Sequence, residues 1–132
     1  MRDMTIRPFL MFEGKAEEAM TFYTSLFPDG RIDEITRYDA SGPGAAGSVK
    51  VATFTVAGQS VMCIDSPMKH AFTFTPSFSF FVECRSEDEI RNLGEKLRES
   101  GQVMMPLNNY GFSKLFTWVS DRYGVSWQLT LN

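Results

Sequence analysis

Two kinds of apolar spacing alternate along the chain, and the whole alternation occurs twice. Residues 7–13 form a short apolar run with the spacing of a strand. In residues 16–27, Ala16, Ala19, Met20, Tyr23, Leu26 and Phe27 recur every three or four positions, which predicts a helix. Pro28-Asp29-Gly30 stops it. Residues 31–38 read as a strand and 39–48 as a loop of small and turn-forming residues. Residues 49–56 and 60–65 read as two strands joined by a turn at Ala57-Gly58-Gln59.

The second half repeats this order. Residues 78–84 put Phe78, Phe80, Val82 and Cys84 on one face of a strand. Ser86-Glu87-Asp88-Glu89 spells a capping box, in which Ser86 accepts from the Glu89 amide while the Glu89 side chain reaches back. Ile90, Leu93 and Leu97 make the apolar stripe of the helix that follows. Lys96 and Arg98 suit its negative end, and Gly101 closes it. Residues 103–107 read as a strand and 108–113 as a loop. Residues 115–119 and 125–131 make a hairpin around Ser120-Asp121-Arg122-Tyr123-Gly124. A shift of 71 residues lays Ala19 on Ile90, Phe22 on Leu93, Leu26 on Leu97 and Gly30 on Gly101, and Gly58 answers Gly124. Strand, stripe, stop and hairpin agreeing in order mark an internal repeat.

The expected fold is therefore α+β, one domain over residues 1–132 built from two βαβββ halves, about 5–65 and 77–132. A four-stranded sheet with one helix leaves its other face bare. Two such halves solve this by curving mixed sheets around a shared concave pocket, helices outside. The last strand assigns the faces: Val125, Trp127, Leu129 and Leu131 go to the helix side, and Ser126, Gln128 and Thr130 to the concave side. That polar triplet fits a ligand groove or a solvated sheet face, and the strand alone does not choose.

Composition narrows the function. Twelve Phe, four Tyr and two Trp put much of the core into aromatic rings. The net charge is −3 and the 13 basic residues are scattered, so nucleic acid and anionic membranes lack their electrostatic partner. No apolar stretch approaches the ~20 residues that span a bilayer. Met1-Arg2-Asp3-Met4-Thr5 holds no apolar signal core, so a cytoplasmic location is expected. Cys63 and Cys84 sit in strand patterns without a CxxC and are expected to be buried and reduced. Gly42-Pro43-Gly44-Ala45-Ala46-Gly47 spells the G-x-G-x-x-G of dinucleotide sites, but a strand pattern follows where a helix N-terminus would be needed. The segment is expected to be a loop.

Pro8-Phe9-Leu10-Met11-Phe12-Glu13-Gly14, Ala16-Glu17-Glu18-Ala19-Met20 and Phe22-Tyr23 resemble the opening of PhnB-like proteins. These are also called demethylubiquinone methyltransferase-like, within the vicinal oxygen chelate superfamily of glyoxalases, bleomycin-resistance proteins and extradiol dioxygenases. Phe78-Ser79-Phe80-Phe81-Val82-Glu83-Cys84 and Tyr123-Gly124-Val125-Ser126-Trp127-Gln128 match later signatures of the family. The resemblance implies paired βαβββ modules. Metal-dependent relatives carry one His, Gln or Glu on the concave face of each of four strands. The resemblance carries those places onto Pro8, Met62, Ser79 and Gln128, where Gln128 alone is a good ligand. A catalytic site needs about three protein ligands, so neither metal nor other cofactor is expected.

Three functions compete at this point. The expected one is a metal-free small-molecule-binding protein of the glyoxalase and bleomycin-resistance type. Its candidate ligand residues are Gln128, Trp118, Met62, Phe81, Ser79 and Ser126, with Thr130 beside them. The alternative is a divalent-metal-dependent lyase, isomerase or dioxygenase of the same superfamily, and the third is a purely structural module. Methyl transfer is not expected, because S-adenosylmethionine usually sits on a larger doubly wound sheet. No catalytic residue stands out. Glu83 reads as a base or as a strand-end carboxylate in water, and the one histidine, His70, as a linker residue or a group at a pocket rim. The aromatic load suggests a homodimer. The loops 39–48 and 108–113 are equivalent connections and are expected near the pocket rim.

Overall fold

Each half of the chain builds the same small sheet around the same helix position. The computed structural model describes residues 3–132; the expectation for the N-terminal segment falls partly on Met1 and Arg2, which lie outside the described residues. The first unit ends at His70 and contains β1 (Phe9–Phe12), α1 (Ala16–Ser25), β2 (Arg31–Arg37), β3 (Val49–Val56) and β4 (Gln59–Asp65). The second unit, from Ala71 on, contains β5 (Ser79–Cys84), α2 (Glu87–Arg98), β6 (Gln102–Asn108), β7 (Leu115–Ser120) and β8 (Ser126–Leu131). The strand orders are β1-β4-β3-β2 and β5-β8-β7-β6. In each sheet the first strand runs parallel to the last, and the remaining pairs are antiparallel. These are the two mixed sheets of the expected α+β class.

Each helix covers one sheet face with the stripe its spacing predicted, except that α1 ends at Ser25, before the expected Leu26 and Phe27, which are half-buried. Ala16, Ala19, Met20 and Tyr23 of α1 are buried, and the Tyr23 ring stacks on Phe54 of β3 with centroids 6.1 Å apart. Ile90, Leu93, Gly94 and Leu97 of α2 are buried. A Cβ at Gly94 would touch Thr117 and Leu129 at 3.5 and 3.6 Å, so the helix lies close on β7 and β8. Among the described residues no helix is long and apolar enough to cross a membrane.

The repeat carries two offsets that the 71-residue shift does not contain. The hairpins answer each other at 66, Val49 against Leu115 and Met62 against Gln128, because the loop before β7 is five residues shorter than the one before β3. Phe9 faces Met62 across β1 and β4, and Phe81 faces Gln128 across β5 and β8, so the first strands answer each other at 72. The extra residue lies between β1 and α1, where Glu13, Gly14 and Lys15 stand against Arg85 and Ser86 in the second half. Gly14 takes φ +101°, a conformation that glycine adopts without strain. The helix starts differ accordingly. Ser86 Oγ caps α2 by accepting from Glu89 N at 3.1 Å, while the Glu89 carboxylate accepts from Arg85 N at 2.9 Å, one residue earlier than a standard box. Lys15 offers α1 no side-chain cap. Instead buried Asp65, at the end of β4, accepts from Gly14 N, Ala16 N and Val49 N at 2.8, 2.9 and 3.0 Å.

Gly101 also acts otherwise than its place after α2 suggests. Ser100 takes the left-handed conformation, φ 61°. Gly101 is required because a Cβ there would overlap the Ser120 carbonyl, as one at Gly30 would overlap that of Thr24. The loop 39–48 leads into β3, as expected, and its Gly44 lies flat against the Tyr38 ring.

Candidate functional site

The register of the second sheet sorts its side chains. On the helix side, Phe80 meets Trp127 with ring centroids 4.8 Å apart, and Leu129, Thr117 and Val119 continue the core. The opposite face is a grid of three cross-strand rows: Ser79, Ser126 and Ser120; Phe81, Gln128 and Trp118; Glu83, Thr130 and Phe116. An amide thus stands between two aromatic residues, above a row of serines.

Hydrogen bonds tie the first two rows together. Trp118 Nε1–H donates to Ser126 Oγ at 2.8 Å, and the Ser126 and Ser79 hydroxyls share a bond of 2.6 Å. Gln128 Nε2–H donates to Ser79 Oγ at 3.1 Å. Ser126 is 1% exposed and Thr130 is also buried, whereas Ser79, Gln128 and Trp118 are half-buried and Phe81 is 59% exposed. The burial of Ser126 and Thr130 corrects the picture of a uniformly polar strand face. Only Gln128 of the triplet offers atoms toward solvent.

Five of the six candidate residues, Gln128, Trp118, Phe81, Ser79 and Ser126, therefore share one face of one sheet. Met62 lies in the first unit, half-buried, in the matching row between Phe9 and Thr53. Sequence reasoning missed the aromatic cluster beside the third row. Phe112 meets Phe116 edge-on at 5.0 Å, Tyr110 stacks on Phe112 at 6.3 Å, and the Tyr110 hydroxyl donates to the Pro106 carbonyl at 2.6 Å. Its signal was present: two aromatic residues flank Gly111 in a loop otherwise made of turn formers.

The residues at the expected ligand places do not suit a divalent cation. Phe9, rather than Pro8, stands beside Met62, and the Pro8 carbonyl accepts from Met62 N at 2.9 Å. The Ser79 hydroxyl is engaged by Ser126 and Gln128. Among the described residues no three His, Cys, Asp or Glu side chains are grouped to hold a metal. One amide, one hydroxyl, one thioether and a phenyl ring are a poor donor set for a hard ion.

The remaining reactive groups lie elsewhere. Cys63 and Cys84 are free and buried, and burial pushes their thiols up to about 12 and about 11, helped by the nearby charges of Asp65 and Glu89. Neither is an activated nucleophile. Glu83 is exposed at the edge of the grid. In the linker, His70 Nε2 lies 2.8 Å from Ser66 Oγ, and the His70 amide donates to Glu13 at 3.4 Å.

Comparison with known proteins places the chain. The family described as 3-demethylubiquinone-9 3-methyltransferase matches residues 4–130. A Bacillus cereus structure, the PhnB protein, given the same methyltransferase name, is 57% identical with a TM-score of 0.95, covering 98% of this chain and 100% of its own. A Pseudomonas aeruginosa protein is 25% identical with a TM-score of 0.86 over 98% of each chain. The Listeria monocytogenes fosfomycin resistance protein FosX, 10% identical over 100% of this chain and 95% of its own, shares the fold with a TM-score of 0.62. Among curated proteins none matches.

Proposed function

The chain belongs to the family described as 3-demethylubiquinone-9 3-methyltransferase, the PhnB-like proteins of the vicinal oxygen chelate fold, and from that premise we propose that it is a metal-free small-molecule-binding protein. The site is the helix-free face of the second sheet, with Gln128, Trp118, Phe81 and Ser79 as its ligand-binding residues, Ser126 buried behind them as the hydroxyl that orients Ser79 and Trp118, and Met62 holding the corresponding place in the first unit. The observation that carries this reading is the row Phe81–Gln128–Trp118 above the bonded serines. Apolar ring surfaces with a few fixed polar groups between them are what small-molecule sites contain. In this reading the two halves act as one functional domain of a cytoplasmic homodimer.

Two other activities find less support. A divalent-metal lyase, isomerase or dioxygenase needs several hard donors, which Phe9, Met62 and Ser79 do not supply. The methyltransferase in the family's description names a group of relatives, and neither four-stranded mixed sheet offers a glycine-rich strand-to-helix turn for a methyl donor. Calorimetry with S-adenosylmethionine is expected to show no saturable heat; micromolar binding would restore that activity. The binding reading itself is tested by a fragment screen on isotope-labelled full chain. Hits are expected to shift the Trp118 indole and Gln128 side-chain amide resonances, and Gln128→Ala is expected to weaken them. A screen in which no fragment moves either signal would remove the site.

A further inference from the structure

The network beside Gln128 has a direction, because one of its members can only donate. An indole N–H offers no lone pair, so Ser126 Oγ accepts from Trp118 Nε1 at 2.8 Å. Ser126 is 1% exposed, and its other side-chain partner among the described residues is Ser79 Oγ at 2.6 Å. A buried hydroxyl proton without an acceptor is costly, so Ser126 donates to Ser79. Ser79 Oγ then accepts twice, from Ser126 and from Gln128 Nε2 at 3.1 Å. Its own proton is left over, on a half-buried residue that faces away from the helix. Gln128 likewise keeps its carbonyl oxygen Oε1. The network therefore ends in a hydroxyl donor with an amide acceptor beside it.

Charge and shape restrict what completes this pair. Of the residues in the three rows, Glu83 alone is charged. An anionic ligand would meet no cation in the grid and would approach that carboxylate, which disfavours an anion, and the groups left over beside Phe81, a hydroxyl donor and an amide acceptor, suit a neutral partner. Phe81 stands directly across from Gln128 and is 59% exposed, which leaves a ring face open for stacking. We propose that this face binds a neutral, planar molecule with a carboxamide or lactam edge. Its carbonyl accepts from the Ser79 hydroxyl, its N–H donates to Gln128 Oε1, and its ring lies against Phe81. The proposal rests on the reading above that this face is a ligand site.

Four one-ring probes titrated into the full-length chain, read by the Trp118 indole resonance, separate the two claims. Benzamide carries both groups, acetophenone the acceptor alone, benzoate the charge, and ethylbenzene neither polar group. Benzamide is expected to bind tightest, with acetophenone weaker by roughly fivefold and benzoate by at least about tenfold, the equilibrium equivalent of about one neutral hydrogen bond. Ser79→Ala, which removes the donor, and Gln128→Leu, which removes the acceptor at similar side-chain size, are each expected to reduce benzamide affinity by a similar factor, and a dispersed amide spectrum reports that each variant is folded. Acetophenone equal to benzamide, benzoate as tight or tighter, or Ser79→Ala without effect would overturn the donor–acceptor assignment and leave the ligand face standing. If none of the four probes, ethylbenzene included, moved the Trp118 signal, the ligand face itself would be overturned.

Discussion

Cys63 and Cys84 lie on the helix side of their strands, and burial raises their thiols from an ordinary 9.0 to about 12 and about 11. The folded chain therefore holds both protons more tightly than the unfolded chain does. Stability from this source is complete below about 9 and is lost as the pH rises toward the folded values. A urea midpoint followed upward from neutrality is expected to fall above pH 9, and Cys63→Ala with Cys84→Ala to flatten that decline. A thiol reagent at pH 8 is expected to label neither cysteine until the chain is unfolded. Labelling of the native chain at the rate of a free thiol would contradict the burial. The alternation of apolar and polar residues was enough to read this burial from the sequence, since parity alone puts Cys63 and Cys84 under the helices. Parity also put Ser126 and Gln128 on the opposite face. It could not show that Trp118 bonds to Ser126, because that contact depends on the register between β7 and β8.

The two helices begin on caps of opposite legibility. Ser86 caps α2 from three residues before Glu89, a local pattern visible in the sequence. Asp65 caps α1 from 49 residues away, in a place that exists only once β4 is paired with β1. The difference has an energetic consequence. Ser86→Ala removes one exposed cap and is expected to cost about 1 kcal/mol. Asp65→Ala leaves the amides of Gly14, Ala16 and Val49 without their acceptor, the last two of them buried, and is expected to cost about 3 kcal/mol or more. Urea unfolding of the two variants checks the order, and equal losses would show that Asp65 is no keystone. The glycines give a second contrast. A Cβ at Gly58, φ +79°, meets nothing within 4 Å, so Gly58→Ala carries a conformational penalty of about 1 kcal/mol alone. Gly101→Ala has to displace the Ser120 backbone and is expected to cost more than Gly58→Ala. Sequence reasoning valued Gly101 as the residue that closes α2, whereas the left-handed residue there is Ser100. Nothing local distinguishes a glycine needed for its φ from one needed for its small size.

At the scale of the whole chain the duplication was legible because the elements recur in order: α1 and α2 start 71 residues apart, as do β2 and β6, and both sheets adopt the same strand order. The buried residues of the two helices coincide at that spacing only at Ala19 with Ile90 and Tyr23 with Gly94. The extra residue before α1 was not legible, because Gly14 absorbs it in a turn and Asp65 restores the helix start. What the chain leaves outside its cores bears on assembly. Phe9, Phe72, Phe78, Phe81 and Phe112 are each more than half exposed. Scattered apolar residues are normal on a surface, but so many large rings on a 132-residue chain favour an interface. Light scattering at micromolar concentration is expected to give twice the 14.9 kDa chain mass, and Phe72→Ser or Phe78→Ser to shift it toward that of one chain. These two precede β5, whereas Phe81 lies within it, on the proposed ligand face. Dimerisation is therefore expected to leave the Phe81 ring free, so that benzamide affinity does not change with protein concentration. A monomer mass would remove the dimer, and an affinity that weakens as the dimer forms would place Phe81 in the interface instead of the site.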